Sequence, residues 1–248
     1  MFSLNTLLLA AGKSTRIAHC FNDLPKPLIP IDGESIIFRN LRWLNQYALS
    51  KPIFVNLHYK HALLKDRLEN FARNYTNLSL NYLYEKNILG TAGAVANFSK
   101  FVRNDNPYLI IYSDNLFNFD LEKMINIHLA KQHEITVALF DQMRNQHTNI
   151  AGGYVKMNDQ NHIIDFFEGH ITLSTLVNAG VYLLSPQLIS AIPSEQFCDF
   201  SKDLFPALLA NNIPMHGHLI DGYCLGLDTL ECINNANKLI KEKRVALI

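Results

Sequence analysis

Residues 5–30 read N-T-L-L-L-A-A-G-K-S-T-R-I-A-H-C-F-N-D-L-P-K-P-L-I-P, and the rest of the chain is interpreted outward from this run. Thr6 to Ala10 is short and mostly apolar, the pattern of a strand buried on both faces of a parallel sheet. The apolar run stops at Ala11 and Gly12. A strand that ends in a small-residue turn presents successive backbone N–H groups at the carboxyl edge of the sheet, and such a turn cradles anions. Lys13, Arg16 and Lys26 add cationic side chains, and Ser14 and Thr15 add hydroxyl donors. With the backbone of Leu9, Ala10, Ala11 and Gly12 they form a candidate polyphosphate site. Pro27 is expected to keep Lys26 out of helical dihedrals and Pro25 to fix its approach. A lysine held this way loses less entropy on meeting a phosphate than one on a floppy loop. The run is not a P-loop, because Lys13 directly follows Gly12 with no spaced glycine upstream. No G-x-G-x-x-G follows a strand either, which argues against a dinucleotide-dependent dehydrogenase.

The chain has 248 residues, room for one large α/β domain or two small ones. Lys plus Arg equals Asp plus Glu at 22 each, which argues against broad electrostatic binding of nucleic acid or of an anionic membrane. Positive potential is therefore local, as a small phosphorylated substrate requires. Cys20, Cys198, Cys224 and Cys232 show neither C-x-x-C nor a histidine spacing suited to zinc. A disulfide framework is not expected, and a reducing compartment is. No apolar run approaches about 18 residues and Met1 to Ala11 lacks a basic leader region. The expectation is a soluble, cytoplasmic protein with no nucleic-acid or membrane partner.

Past the first loop, Ser35 is placed to cap a helix carrying Ile37, Leu41, Leu44 and Ala48 at helical spacing. A strand at Ile53–Leu57, a helix at Ala62–Phe71, a strand at Leu78–Glu85, a helix at Ala92–Phe101 and a strand at Tyr108–Tyr112 follow. Strand and helix in alternation mark a parallel sheet with right-handed crossovers. Ile135–Phe140 reads as a further, central strand. Ala151–Met157 and His162–Glu168 read as a hairpin closed by Asn158 to Asn161. Leu176–Leu184 is a strand, followed by helices at Pro186–Ala191 and Ser201–Ala210, a strand at Pro214–Ile220 and a helix at Thr229–Lys241. The fold expected is α/β: a mixed, mostly parallel sheet with helices on both faces, plus a small β extension.

Two further stretches carry chemistry. In E-K-N-I-L-G-T-A-G-A-V, residues 85–95, Gly90 and Gly93 flank Thr91 at a helix mouth and would let a flat group approach the backbone. Glu85 is an acceptor-only carboxylate at a strand end, suited to the N–H edge of a purine such as guanine. Asp114 lies just past a buried strand, at the carboxyl edge, and is a hard oxygen ligand of the kind Mg²⁺ takes.

A-A-G-K-S-T-R and L-P-K-P-L-I-P together resemble the signature of the sugar nucleotidyltransferases, the nucleoside-diphosphate-sugar pyrophosphorylases: a strand, A-G-x-G-T-R, a gap, then P-K-P-L. Ser14 stands where that family usually has glycine. L-G-T-A-G-A looks like the version in mannose- and heptose-1-phosphate guanylyltransferases. The resemblance implies a Rossmann-like fold of the nucleotide-diphospho-sugar transferase type. It implies one domain over 1–248, with residues 1–145 binding nucleotide and residues 146–248 binding sugar phosphate. The implied reaction joins an NTP to a sugar 1-phosphate, giving an NDP-sugar and pyrophosphate, with GTP and mannose or heptose 1-phosphate favoured. Arg16 and Lys26 are the implied catalytic residues, Asp114 the ligand of a Mg²⁺ cofactor and a substrate contact, and Glu85, Gly90 and Thr91 the base contacts. Gly153, Glu168 and Asn178 match sugar-phosphate positions. Gly169 replaces the lysine that follows Glu168 in the family, with His170 or Lys202 as candidate substitutes. Near the C-terminus the family reads W-x-D-I-G-T-P-E, where the Asp is a second metal ligand. Aligned on Gly226, that place falls to Cys224, a soft and poor ligand for Mg²⁺, which leaves Asp221 or Asp228 to supply a carboxylate from a shifted loop. Ser14, Gly169 and Cys224 support a second reading, a nucleotide-binding homologue without catalysis. A third keeps the chemistry and takes CTP with a phosphorylated alcohol such as phosphocholine. A monomer or homodimer is expected.

Overall fold

The computed structural model describes residues 2–13, 16–148, 153–167 and 174–247. In chain order it comprises β1 (Asn5–Leu9), β2 (Pro30–Ile31), β3 (Glu34–Ser35), α1 (Ile36–Asn45), β4 (Ile53–Leu57), α2 (His61–Ala72), β5 (Leu80–Tyr84) and α3 (Gly90–Phe98). Next come β6 (Tyr108–Tyr112), β7 (Asn115–Asn118), α4 (Leu121–Lys131), β8 (Ile135–Asp141), β9 (Tyr154–Met157), β10 (Ile163–Phe167) and β11 (Leu176–Leu184). The last third holds α5 (Pro186–Ser190), a π-helical turn over Phe200–Leu204, α6 (Phe205–Ala210), β12 (Met215–Leu219), β13 (Tyr223–Gly226) and α7 (Leu230–Lys241).

Among the described residues nine strands form the main sheet. β6, β1, β4 and β5 are neighbours in that order and all parallel. β11 lies antiparallel to both β6 and β8, so β8 and its parallel neighbour β12 run in the direction of β6. The β9–β10 hairpin adds to the start of β11. Side chains alternate across the sheet, as strand geometry requires. Leu8, Leu109 and Ile111 face a core shared with Leu41 of α1, Leu64 of α2 and Met124 of α4. Leu7, Tyr108 and Ile110 face a second core with Val95 of α3, Leu188 of α5 and Phe205 of α6. Helices thus cover both faces, and the mixed, mostly parallel sheet is as expected. The order turns back on itself at β1: the chain steps outward through β4 and β5, then returns to β1's other side as β6. Ligands of open α/β sheets bind at the carboxyl ends of the strands at such a reversal.

Three features depart from the sequence reading. α4 carries Leu121, Met124, Ile125 and His128 on its buried side, and Asp120 caps it by accepting from Lys123 N at 3.0 Å; the sequence reading left this stretch unassigned. β7 and β13 pair only with each other, antiparallel, with Asn115 opposite Gly226, a contact between segments too distant in sequence to leave a local signal. Lys26 is not extended. It opens a single 3₁₀ turn, with Leu28 N donating to Pro25 O at 2.8 Å and Ile29 N to Lys26 O at 3.0 Å. Pro27 is tolerated there because an N–H in the first turn of a helix has no partner to lose.

Candidate active site

Beyond the end of β1 a cavity of about 370 Å³ opens at the carboxyl edge of the sheet. Its first wall is the stretch from Leu9 to Lys13 together with Arg16. The turn there is held from the neighbouring strand: Ala10 N donates to Asn56 Oδ1 of β4 at 2.6 Å. Around Gly12 no heavy atom of the described residues comes within 4 Å of where a Cβ would stand. Lys26, Glu85, Gly90, Thr91 and Asp114 complete the set of expected residues that line the cavity. Ser14 and Thr15 lie outside the described residues.

At the cavity's charged end the Lys26 ammonium lies 2.8 Å from Asp114 Oδ2 and 2.8 Å from Asp228 Oδ1. Only 8% of the Lys26 side chain is exposed. Burial pulls its pKa down, but the two carboxylates outweigh burial and the net shift is upward. Asp228 shows the converse. Burial raises it, while Lys26 and then Arg16 bring it below the usual carboxylate value. Arg16 reaches Asp228 Oδ1 at 3.0 Å with a side chain 71% exposed, so most of its donor fork faces solvent. The pairing of β7 with β13 explains the meeting of the carboxylates. Asp114 immediately precedes β7, and Asp228 follows β13 by two residues, at the end where Asn115 and Gly226 are partners.

The opposite end is a polar clamp under a strap. Glu85 is buried, with Oε1 accepting from Asn56 Nδ2 at 2.7 Å and Oε2 from Leu89 N at 3.3 Å. Burial raises its pKa, partly offset by these donors and by His58. Asn56 therefore ties the first loop to Glu85, a role the sequence reading missed because Asn56 sits inside an apolar strand. The glycines of L-G-T-A-G-A serve a different neighbour from the one expected. Ala92 N and Gly93 N donate to Cys198 O at 2.9 and 3.0 Å. A Cβ on Gly90, at φ +75°, would stand 2.4 Å from Cys198 O, and one on Gly93 2.6 Å from Gln196 O. Their lack of side chains admits the 196–198 backbone, and Gly90 also borders the cavity. Thr91 donates to Asp199 Oδ2 at 3.1 Å and fastens the strap, from which the exposed Phe197 lines the cavity mouth.

The Nucleotidyl transferase family profile matches residues 5–239. The chain belongs to the nucleotidyl transferase family. It is 28% identical over 233 residues to a UTP–glucose-1-phosphate uridylyltransferase of Synechocystis sp., covering 88% of this chain and 58% of that protein. It is 25% identical over 221 residues to a D-glycero-alpha-D-manno-heptose 1-phosphate guanylyltransferase of Campylobacter jejuni, covering 88% and 94% of the two chains. The chain thus spans a little over half of the first relative and nearly all of the second. The fold is also that of HddC from Yersinia pseudotuberculosis solved with GMP-PN, at a TM-score of 0.79 and 22% identity, covering 97% of this chain and 100% of that one.

Of the residues weighed for a second carboxylate, it is Asp228 that stands beside Asp114, both on Lys26. Cys224 does not take that place. It is fully buried in β13, its Sγ donates to Ala179 O at 3.6 Å, and burial pushes its thiol pKa up. Asp221 is turned away, accepting from Asp120 N at 3.2 Å. The donor set of the site is thus two carboxylates already sharing one cation. That fits Mg²⁺, which takes one or two carboxylates and completes its shell with phosphate and water. Among the described residues no three His, Cys, Asp or Glu are arranged around a metal position, which does not fit a closed zinc site. Of the positions expected to contact sugar phosphate, Gly153 and Asn178 are neighbours, with Asn178 N donating to Gly153 O at 2.9 Å. Neither is among the described residues lining the cavity. The Asn178 amide is engaged locally, accepting from Gly180 N at 2.9 Å and donating to Tyr182 Oη at 2.7 Å. Glu168, Gly169 and His170 lie outside the described residues, and Lys202 is exposed. Among the described residues no helix is long and apolar enough to cross a membrane.

Proposed function

We propose that this chain transfers a nucleotidyl group from GTP to mannose 1-phosphate or heptose 1-phosphate. The observation that carries this reading is the buried Lys26 ammonium shared by Asp114 and Asp228 at the mouth of the loop after β1. In the reaction an oxygen of the acceptor phosphate attacks the α-phosphorus in line. The bond from that phosphorus to its bridging oxygen breaks, and pyrophosphate leaves with the electron pair. No covalent enzyme intermediate is needed, so the chain's work is positioning and neutralisation of charge. Backbone N–H groups of the loop after Leu9 would hold the triphosphate. Arg16 would grip the leaving β- and γ-phosphates through its fork of donors, and Lys26 would bridge the α-phosphate and the acceptor phosphate. Asp114 and Asp228 would hold Mg²⁺, which when bound neutralises charge between the two phosphates. Glu85, Gly90 and Thr91 would border the base, with Gly153, Glu168 and Asn178 on the sugar side. Residues 1–145 would then carry the nucleotide and residues 146–248 the acceptor, the latter also contributing Asp228.

The Campylobacter relative, named for guanylyl transfer and matched over nearly its whole length, supports guanine, as does the GMP-PN in the structural neighbour. The Synechocystis relative, named for uridylyl transfer, makes UTP the second donor to test. We place the protein in the cytoplasm as a monomer or homodimer. The test is pyrophosphate release with Mg²⁺, each of four NTPs, and a panel of sugar 1-phosphates plus phosphocholine. GTP with a manno-configured sugar phosphate is the expected productive pair. Silence across the panel, with NTP still raising the melting temperature, would replace this reading with a nucleotide binder lacking catalysis.

A further inference from the structure

At the amino end of β8, opposite the carboxyl edge where the first cavity opens, a second cavity of about 270 Å³ lies between α4, the start of β8, β12 and the turn joining β9 to β10. Its walls carry Lys123 and Lys131 of α4, His133, and His216 and His218 of β12. The hydroxyl of Thr136 and the amides of Gln160 and Asn161 fill in between them, and no Asp or Glu is among the described lining residues. The imidazoles are packed on one another. His133 and His216 stack face to face, with centroids 3.4 Å apart and planes 5° from parallel, and His162 meets His216 edge-on at 4.6 Å. Behind them Thr136 Oγ1 lies 3.2 Å from His133 Nδ1 and 2.9 Å from His128 Nδ1. One hydroxyl thus joins both rings. Among the described residues the buried Nδ1 of His216 has no hydrogen-bond partner.

The charge around this cavity is one-sided. Every element packed against His133 and His216 offers a base or a neutral group: Lys131 and His128 from α4, His162 from β10's approach, and the neighbouring strand residues Thr136 and Gly217. The nearby carboxylates are directed elsewhere. Glu134 accepts from Ser185 and Asp159 is exposed on the hairpin turn, while Asp120 and Asp221 act on His218 at one wall and not on the stacked His133 and His216. In this setting burial first, then Lys131 and the neighbouring imidazoles, hold His133 and His216 below the ordinary histidine value. Two lysines, three histidines, a threonine, a glutamine and an asparagine line a space larger than one small ion, which suits an oxyanion with several acceptors better than chloride or a single carboxylate.

We propose that this second cavity binds a phosphate group, free or carried as the ester of a small molecule, at a site separate from the one that follows β1. The probes are inorganic phosphate and a simple monoester, glycerol 3-phosphate, added to the full chain while the histidine ring signals are followed by NMR. Among the described residues no histidine lines the first cavity, and His133→Gln and His216→Gln variants assign the signals of the second. Because an opposite charge within reach raises a histidine pKa by 1–3 units, either probe is expected to raise the titration midpoints of His133 and His216 by about one unit. Stronger response to the monoester identifies an ester as the ligand class, and equal response identifies phosphate itself. A Lys123→Gln/Lys131→Gln protein, altered only at exposed positions, is expected to respond at least about tenfold more weakly with nucleotidyl transfer unchanged. Ring titrations identical in phosphate and in chloride of equal ionic strength would overturn the proposal, as would a double variant that responds like the parent.

Discussion

Lys26 is the residue on which the charged end of the site depends. Its ammonium is nearly enclosed and stands between two carboxylates, so removing it takes away an oriented cation and leaves two like charges face to face. Lys26→Ala is expected to lower kcat/KM on the order of a hundredfold or more, as loss of a preorganised charge donor does elsewhere; unchanged steady-state turnover would show that the reacting phosphates lie elsewhere. Asp228 and Cys224 form a paired test of which residue serves as the second acid. Asp228→Asn should lose activity to a comparable degree. Cys224→Ala, which removes a buried thiol contacting only protein, should stay within about twofold in kcat while losing some stability. Equal losses in both would restore Cys224 to the site. The first loop, Lys26 and Asp114 were legible in the chain because each is announced by a local pattern: a strand, then small residues, then cations. Asp228 was legible only as one of two candidates beside Asp221, because counting along the chain from Gly226 pointed to Cys224. The sheet register of β13 against β7, invisible in one dimension, decides which side chain faces the cavity and which faces the core.

The strap over α3 is where an element's packing reaches into the cavity. Gly93 sits inside a helix, where alanine is ordinarily more stable than glycine by about 0.5–1 kcal/mol. Here a Cβ would lie 2.6 Å from Gln196 O and 3.2 Å from Leu89 Cβ, and the backbone oxygen has no rotamer by which to withdraw. The steric term therefore outweighs propensity, and Gly93→Ala is expected to destabilise the fold by roughly 1–3 kcal/mol and to raise KM as Phe197 and Asp199 shift. Calorimetry and steady-state kinetics check both; a rise in melting temperature would mean that the strap is not seated on α3. The element count from sequence was good where period and burial agreed, as in β4 and β6, whose bounds match, and in α1 and α2, which differ at their ends. α4 escaped because His128 occupies a buried helix position as a polar residue, which breaks the apolar stripe that periodicity detects. β7 and β13 are four residues each and exist only through each other, so no window of sequence contains the pair.

The whole molecule's response to acid follows from the same histidines. His128 is 2% exposed, and burial, followed by His133 and His216, pushes its pKa down from 6.5 to about 4. Folded chains thus leave the ring neutral where unfolded chains protonate it. Between those values the unfolded state binds more protons, so stability rises with pH and falls as pH drops below about 6.5. The cost of going from about pH 6.5 to pH 5 is on the order of 2 kcal/mol for this one ring. That is a large share of the 5–15 kcal/mol by which such domains are stable, and corresponds to roughly 4–8 °C in melting temperature for a chain of this size. His133, His216 and His218 are lowered too and act in the same direction. Buried Glu85 has a raised pKa; it gains protons on folding and opposes the trend at the lower end of the window. Asp228, lowered below the usual 3.8, contributes only in stronger acid. The expected result is a melting temperature that is flat above about pH 7 and declines steadily towards pH 5. The isosteric change His128→Gln should flatten that decline while lowering stability at neutral pH through the altered contact to Thr136. A parent protein with no pH dependence in this range, or a variant with an undiminished slope, would show that His128 is protonated in the folded chain.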